Sequence, residues 1–207
     1  MSEIVVDAFV TLDGVMQAPG SPDEDRDGGF PHGGWQVPYM DQAAVDFVNE
    51  GIVACEGLLL GRRTYEVFAR HFPAVPADHP DAAAAAALNA MPKHVASRTL
   101  RAADWENSTL LGADTLGAIA RLRARPGGEL HVVGSAGLLR TLVQHDLVDV
   151  YRIMVFPVVL GSGKRLFAEA ARAAAFSLVD SRATAAGALV CTYRRAGEVT
   201  YGSHGDG

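Results

Sequence analysis

Strand-like and helix-like segments alternate along most of the chain, and this alternation constrains the fold more than any other feature of the sequence. Strands are predicted where β-branched and other apolar residues run together, and helices where apolar residues recur three or four positions apart. The predicted strands span 4–10, 57–61, 93–97, 108–111, 129–133, 150–159, 176–181 and 188–195, and the predicted helices span 40–54, 62–70, 116–125 and 135–145. This order predicts an α/β fold with a mostly parallel, mixed sheet, helices on both faces and a C-terminal antiparallel hairpin around Gly187.

Composition narrows the class of protein. No linker or repeat divides the 207 residues, so we predict one domain over 1–196 and a disordered tail over 197–207. The formal charge of −6 does not suit a protein that neutralises nucleic-acid phosphates, so a small molecule is the expected partner. The absence of a signal-peptide pattern and of a membrane-length apolar run favours the cytoplasm. The seven histidines and two cysteines lack the spacing of metal ligands, so no metal site is expected.

Chemically useful residues follow three of the predicted strands. The first group is Gly61, Arg62 and Thr64, where a strand ends and a helix begins. A helix start offers free N–H groups and a positive dipole end, and these groups together with an arginine suit an anion such as pyrophosphate. A solvated helix start with surface arginines is the alternative interpretation.

The other two groups suit phosphates as well. The turn after strand 129–133 consists of Gly134, Ser135, Ala136, Gly137 and Leu138. Small side chains let the backbone approach a phosphate, but this motif is shorter than the dinucleotide-binding fingerprint, and a purely structural turn is the alternative. Ser97 and Arg98 suit a 2′-phosphate, with an ordinary surface pair as the alternative. Because parallel strands end at the same edge of a sheet, we expect the three groups to share one ligand site.

The segment 18–38 is rich in Pro, Gly and Asp, which predicts a lid or binding loop. Its acidic run, 23–27, is predicted to be solvated. Trp35 in the same loop offers an aromatic face on which a flat heterocycle can stack. The alternative is that Trp35 anchors the loop on the core.

Five motifs follow one another along the chain. They are LDGVM at 12–16, GRRTYE at 61–66, MPK at 91–93 leading to Ser97 and Arg98, VGSA at 133–136 and FPVVLGSG at 156–163. In order and spacing, over 4–195, they are similar to the dihydrofolate-reductase-like family that contains the reductase domain of riboflavin biosynthesis. The chain resembles a stand-alone form of that domain, since it carries no His/Cys signature of the zinc deaminase that can precede it.

The resemblance implies a three-layer dihydrofolate-reductase-like fold. It also implies an NADPH-dependent reductase of the 5-amino-6-(5-phosphoribosylamino)uracil reductase or dihydrofolate reductase type, acting on a small heterocycle as a homodimer. It puts Arg62 and Thr64 at the cofactor phosphates, Ser97 and Arg98 at the adenosine 2′-phosphate, and the turn 134–138 around the pyrophosphate. It puts the substrate beside Asp13, Gly14, Phe156, Pro157 and Gly161.

Substrate protonation is assigned to Asp13, Asp46 or a water that they order. Neither Asp41 nor Asp46 has the spacing of the acid that anchors the pteridine in true dihydrofolate reductases, which disfavours folate. Two alternatives to the riboflavin-type reductase stay open. One is a nucleotide- or ligand-binding protein without turnover, and the other is a reductase of pterins or folates.

Overall fold

The computed structural model describes residues 1–167 and 171–205, whose strands form one eight-stranded sheet. The strands are β1 (Glu3–Thr11), β2 (Cys55–Gly61), β3 (Lys93–Ala96), β4 (Ser108–Leu110), β5 (Glu129–Val133), β6 (Val150–Phe156), β7 (Ala175–Ala183) and β8 (Leu189–Gly197). The helices are α1 (Gln42–Ala54), α2 (Arg62–His71), α3 (Ala82–Ala90), α4 (Thr115–Arg123) and α5 (Ala136–Gln144).

The strand order across the sheet is β4-β3-β2-β5-β1-β6-β8-β7. The first six strands in this order, from β4 to β6, all run parallel to one another. The pair β7 and β8 forms the predicted antiparallel hairpin, and β8 runs antiparallel to β6. The sheet is therefore mixed and mostly parallel, as the sequence predicts.

Two apolar layers enclose the sheet, because residues of β1 alternate between its faces. On one face, Ile4, Val6 and Ala8 pack with apolar residues of α4 and α5. On the other face, Phe47 of α1 and Leu88 of α3 lie in two further core clusters. This arrangement confirms the three-layer fold. Among the described residues, no helix combines the length and the apolar character needed to cross a membrane.

Some predicted boundaries shift for local reasons. The strand predicted over 150–159 ends at Phe156, because Pro157 has no N–H group to donate to a neighbouring strand. It pairs with β1 on one side and β8 on the other, so it lies inside the sheet. Strand β8 extends to Gly197, opposite Ala175. Of the tail predicted to be disordered, 198–205 has no helix or strand, and 206–207 lies outside the described residues.

Candidate active-site cleft

Three adjoining cavities extend from the carboxyl ends of β2, β3 and β5, the edge at which parallel sheets bind ligands, onto the face of the sheet that α1 and α2 cover. The basic chamber, about 640 Å³, is lined by five cationic side chains: Arg62, Arg63, Arg98, Arg140 and Lys164. The apolar chamber, about 540 Å³, lies between the sheet and helices α1 and α2. The middle chamber, about 250 Å³, shares lining residues with both. The three form one cleft.

The basic chamber is built on two strand-to-helix junctions that hydrogen-bond to each other. The Gly61 N–H donates to Ser135 Oγ at 2.9 Å, and the Ser135 N–H donates to Thr64 Oγ1 at 3.0 Å. Gly134 and Ser135 both have left-handed backbones, with φ of +56° and +53°. At Gly134 a Cβ atom would also lie 3.3 Å from Thr64 Oγ1, so both the backbone angle and the space favour glycine here. Because glycine has no side chain, the backbone of the turn stays uncovered toward the cleft.

The predicted cofactor residues do come together here. Nine of the ten line the basic chamber: Gly61, Arg62, Thr64, Ser97, Arg98, Ser135, Ala136, Gly137 and Leu138. The tenth, Gly134, lines the middle chamber. Their convergence follows from the parallel sheet, whose β2, β3 and β5 end at the same edge.

The acidic run predicted to be solvated contributes to this site. Arg63 Nη1 donates to Asp27 Oδ2 at 2.7 Å, and Lys164 Nζ lies 2.5 Å from Asp25 and 3.0 Å from Asp27. Hydrogen bonds from Arg63 and Lys164 lower the pKa of Asp27 to about 2. Asp27 is exposed, as the prediction of a solvated run requires, but Asp25 and Asp27 also pair with Arg63 and Lys164, which lie far away in sequence and gave no local signal.

Asp13 lies outside the cleft. Its carboxylate accepts hydrogen bonds from Thr11 Oγ1 at 2.6 Å and from the Leu160 and Gly161 N–H groups at 3.2 and 2.9 Å. The Thr11 bond is the main cause that lowers the pKa of Asp13 to about 2. A carboxyl that stays ionised and holds two loops together is a poor proton donor, so the structure does not support the predicted catalytic role.

The expected substrate wall also lies elsewhere. Among the described residues, none of the predicted substrate contacts lines the three chambers: Asp13, Gly14, Trp35, Phe156, Pro157 and Gly161. Gly14 has a φ of +79°, and its N–H donates to Thr11 O, so it serves the turn after β1. These positions belong to the turn after β1, the segment 157–161 and the core between the sheet and α1.

Trp35 is a loop anchor rather than an exposed stacking face. Its side chain is only 8% exposed, its Nε1 donates to Gln17 O at 2.8 Å, and its ring meets the buried Phe156 ring edge-on. Asp46, the second predicted acid, lies on the exposed face of α1, where it accepts a hydrogen bond from Gln42 at 2.8 Å. Both positions correct the sequence-based assignment.

A buried ion network forms the floor of the apolar chamber, and the sequence analysis missed it. Asp7 Oδ2 lies 2.5 Å from His131 Nδ1, and Asp7 Oδ1 accepts from Arg152 Nη1 at 3.1 Å. His131 Nε2 lies 2.8 Å from Glu129. Burial alone lowers the pKa of His131, but the hydrogen bonds and charges of Asp7 and Glu129 outweigh it and raise this pKa above its usual value. Both ring nitrogens face carboxylates, so the ring is held as an imidazolium.

Gly51 makes room for this network. It lies within α1, where a Cβ atom would come 1.9 Å from Arg152 Nη1. The guanidinium passes under the helix, donates to Phe47 O at 2.7 Å and lies 4.2 Å from the centre of the Phe47 ring. A glycine within a helix lowers helix stability by about 1 kcal/mol relative to alanine. The close approach of Arg152 explains why a glycine stands at position 51.

One sequence signal pointed to the network. Asp7, His131 and Arg152 each place a charged or ionisable side chain in an otherwise apolar strand, and such groups are buried only with partners. The strands involved, β1, β5 and β6, are neighbours in the sheet. Sequence spacing alone did not show that these three residues meet.

The segment 18–38 spans the cleft. Gly20, Glu24 and Gln36 line both the middle and the apolar chambers. Gln36 Oε1 is buried and accepts no hydrogen bond from the described residues. An acceptor of this kind in a cleft suits a ligand that carries an N–H group.

Comparisons with known proteins agree with this geometry. The family model described as the RibD C-terminal domain matches residues 2–190. The chain belongs to the RibD C-terminal domain family. The uncharacterised protein YyaP of Bacillus subtilis (strain 168) is 25% identical over 190 residues, which is 92% of this chain and 93% of YyaP.

Solved structures share the fold. A putative riboflavin biosynthesis protein from Shewanella sp. PV-4 is 22% identical with a TM-score of 0.65, and the match covers 94% of this chain and 99% of that one. Dihydrofolate reductase from Enterococcus faecalis, in a complex with NADP(H), is 14% identical with a TM-score of 0.56 and coverage of 93% and 96%. A diaminohydroxyphosphoribosylaminopyrimidine deaminase/5-amino-6-(5-phosphoribosylamino)uracil reductase from Thermotoga maritima is 11% identical with a TM-score of 0.61, and the match covers 94% of this chain and 57% of that chain. The fold is dihydrofolate-reductase-like, and family and neighbours support a reductase-type enzyme.

Proposed function

We propose that this protein is an NADPH-dependent reductase that transfers a hydride to a small, flat heterocycle. One observation carries the proposal: a chamber with five cationic side chains continues, through a narrow middle chamber, into an apolar chamber floored by an ion network. A nucleotide cofactor needs the first environment for its phosphates, and a heterocycle needs the second.

The basic chamber fits NADPH on its own chemistry. The starts of α2 and α5 present backbone N–H groups that no capping side chain accepts, which suit a pyrophosphate. Ser97 and Arg98 follow β3 on the same chamber wall, where a hydroxyl and a guanidinium suit a 2′-phosphate. The 2′-phosphate distinguishes NADPH from NADH, so Arg98 is the proposed source of cofactor preference.

When bound, NADPH supplies a hydride to a C=N or C=O carbon of the substrate, and the adjacent nitrogen or oxygen then takes a proton. The chain's own contribution is to position both molecules and exclude water. Ala8, Phe9 and Met16 give the middle chamber apolar surface for this purpose. The Asp7–His131 pair lines the apolar chamber and holds a proton, so it replaces Asp13 as the proposed proton source.

Calorimetric titration with NADPH and NADH tests the cofactor assignment. Removing the guanidinium in Arg98→Ala is expected to weaken NADPH binding about tenfold or more and to leave NADH binding unchanged, since one charge-assisted bond to phosphate is lost. Arg101→Ala is the matched control, because Arg101 is an exposed arginine nearby that does not line the chambers. Failure of the parent protein to bind either nucleotide would overturn the proposal.

A second candidate is a ligand-binding protein without turnover. It is favoured by the position of Asp13 and Asp46 outside the cleft. Substrate-dependent oxidation of NADPH, followed with flavin precursors, pterins and dihydrofolate, separates the two candidates. Oxidation with any of them supports the enzyme and identifies its substrate group, including the pterin or folate alternative.

Location and assembly are part of the proposal. Cys55 and Cys191 are both free thiols, which suits the reducing cytoplasm. A homodimer is also proposed, on the resemblance alone. Light scattering on the purified protein measures its mass in solution and decides between monomer and dimer.

A further inference from the structure

The apolar chamber has more carboxylates than lysines and arginines in its described lining, which is unusual for a site that would hold a phosphorylated substrate. Its titratable lining residues are Asp7, Glu24, Cys55, His71, Asp81, His131 and Arg152. Three of these are carboxylates and one is an arginine. Within residues 1–167 and 171–205, no lysine and no second arginine lines this chamber.

The single arginine is already occupied. Arg152 donates to Asp7 through Nη1 and to the Phe47 carbonyl through Nη2, and its guanidinium lies on the Phe47 ring. Its side chain is only 11% exposed. His131 is likewise held between Asp7 and Glu129. The positive charges in the floor are therefore balanced by carboxylates of the protein.

A phosphate in this chamber would meet three carboxylates, and the imidazole of His71 is the one basic side chain in the described lining that no carboxylate or backbone carbonyl already holds. Taking a dianion out of water is unfavourable unless cations or several N–H groups replace its hydration. The cationic side chains lie in the basic chamber, which Arg62, Arg98 and Arg140 line, and in the part of the middle chamber that Arg63 and Lys164 line. The cleft thus separates an end suited to phosphate from an end that disfavours it.

The floor of the apolar chamber offers acceptors that are not fully used. A carboxylate has about four acceptor positions, and the hydrogen bonds of Asp7 with His131 and Arg152 use one on each oxygen. Gln36 Oε1 is a further acceptor, buried and without a donor among the described residues. Val48, Ile52 and Phe68 supply apolar surface around them. A heterocycle with N–H groups on one edge and no acidic group matches this lining.

We infer that the substrate of this cleft is an unphosphorylated heterocycle that presents N–H donors to Asp7 and Gln36. This inference rests on the proposed function, in that it treats the apolar chamber as the substrate site. It departs from the phosphoribosyl substrate in the name of the Thermotoga maritima neighbour. The chain shares that neighbour's fold, but the described part of this chamber has no lysine and no unoccupied arginine for such a phosphate.

Matched pairs of probes that differ only by a phosphate test the inference. Uridine with uridine 5′-monophosphate, and riboflavin with riboflavin 5′-phosphate, are titrated into the parent protein by calorimetry, with and without saturating NADPH. The unphosphorylated member of the better-binding pair is expected to bind at least about tenfold tighter. Equal or tighter binding of the phosphorylated member, or binding of neither pair, overturns the inference.

Two variants locate the effect in the chamber without touching the ion network. Asn49 lies on α1 and lines the chamber, so Asn49→Arg adds a cation and is expected to strengthen binding of the phosphorylated probe about fivefold while leaving its partner unchanged. Gln36→Leu removes the unpartnered acceptor and is expected to weaken the unphosphorylated probe about fivefold. Asp46→Asn, on the exposed face of the same helix, is the control and should change neither. An unchanged probe ratio in Asn49→Arg overturns the assignment to this chamber.

The two proposals fail in different ways. A protein that binds no NADPH but prefers the unphosphorylated probes refutes the reductase and leaves the selectivity of the chamber in place. A protein that binds NADPH through Arg98 but prefers the phosphorylated probes keeps the reductase and refutes the substrate class.

Discussion

The two ends of the cleft are built by different means. At the basic end, two strand-to-helix junctions are joined by hydrogen bonds among Gly61, Ser135 and Thr64, and cationic side chains line the chamber around them. At the apolar end, the surface consists mainly of apolar side chains from α1, α2 and the sheet, and an ion network holds the floor. Charge and hydrogen bonding therefore dominate one end of the cleft, and apolar contact dominates the other.

Two helical glycines give the sharpest test of this difference. Gly51→Ala is expected to lower the free energy of unfolding by about 2–4 kcal/mol, because the new Cβ pushes Arg152 away from Asp7 and leaves buried charges unpaired. Gly137→Ala at the basic end meets no atom within 4 Å and should leave the free energy of unfolding unchanged or raise it by up to about 1 kcal/mol, since alanine favours a helix. Urea unfolding measures both. Similar losses in the two variants would show that the ends do not differ in this way.

Salt should weaken ligand binding at the basic end and leave binding at the apolar end nearly unchanged. The basic chamber attracts phosphates through exposed cations, so raising sodium chloride from about 50 to about 500 mM is expected to weaken NADPH binding about tenfold. Uridine binding in the apolar chamber should change less than about twofold, because the probe has no charge. Calorimetric titrations across the salt series measure both affinities, and parallel slopes for the two ligands would contradict the comparison.

The acidic run modulates the basic end. In Asp27→Asn, Arg63 and Lys164 lose one of their carboxylate partners, so NADPH affinity is expected to rise about two- to fivefold. Asp23→Asn is the matched control, since Asp23 lies in the same run and pairs with Arg26, outside the chambers. Weaker NADPH binding in Asp27→Asn would mean that Asp27 supports the site rather than competing for its cations.

The smallest expected effects concern pH. The stability contributed by the basic end should fall at acid pH, and that contributed by the apolar end should fall at alkaline pH. The lowered pKa of Asp27, about 2, gives stability that is present above about pH 4 and lost as pH falls toward 2. The raised pKa of His131 gives stability that is complete below about pH 6.5 and lost as pH rises through its folded value. The urea midpoint of unfolding is measured as a function of pH. Its dependence on pH should become weaker at acid pH in Asp27→Asn and at alkaline pH in His131→Gln. A parent-like alkaline slope in His131→Gln would contradict the assignment.

The sequence predicted where the basic end lies because each of its three groups is a short run of neighbours that follows a strand. Gly61, Arg62 and Thr64, for example, sit on one strand-to-helix junction, which the motif indicates locally. Asp13 was misassigned because a motif does not show which way a carboxylate turns, and here it turns toward Leu160 and Gly161.

The apolar end was not predictable in the same way. Asp7, His131 and Arg152 come from three strands far apart in the chain, and only their adjacency in the sheet brings them together. Trp35 was ambiguous because its burial depends on Phe156, which lies more than a hundred residues away. The fold itself was predictable, since alternation and turn residues are local signals.

The hydrogen-bonded junctions of the basic chamber have an evolutionary consequence. Mutation changes side chains far more readily than it changes the path of the main chain, so the tight turn at Gly134 constrains substitution more strongly than the apolar positions Val48, Ile52 and Phe68 do. We therefore expect related chains to agree at the junctions near Gly61 and Gly134 and to differ on the inner faces of α1 and α2.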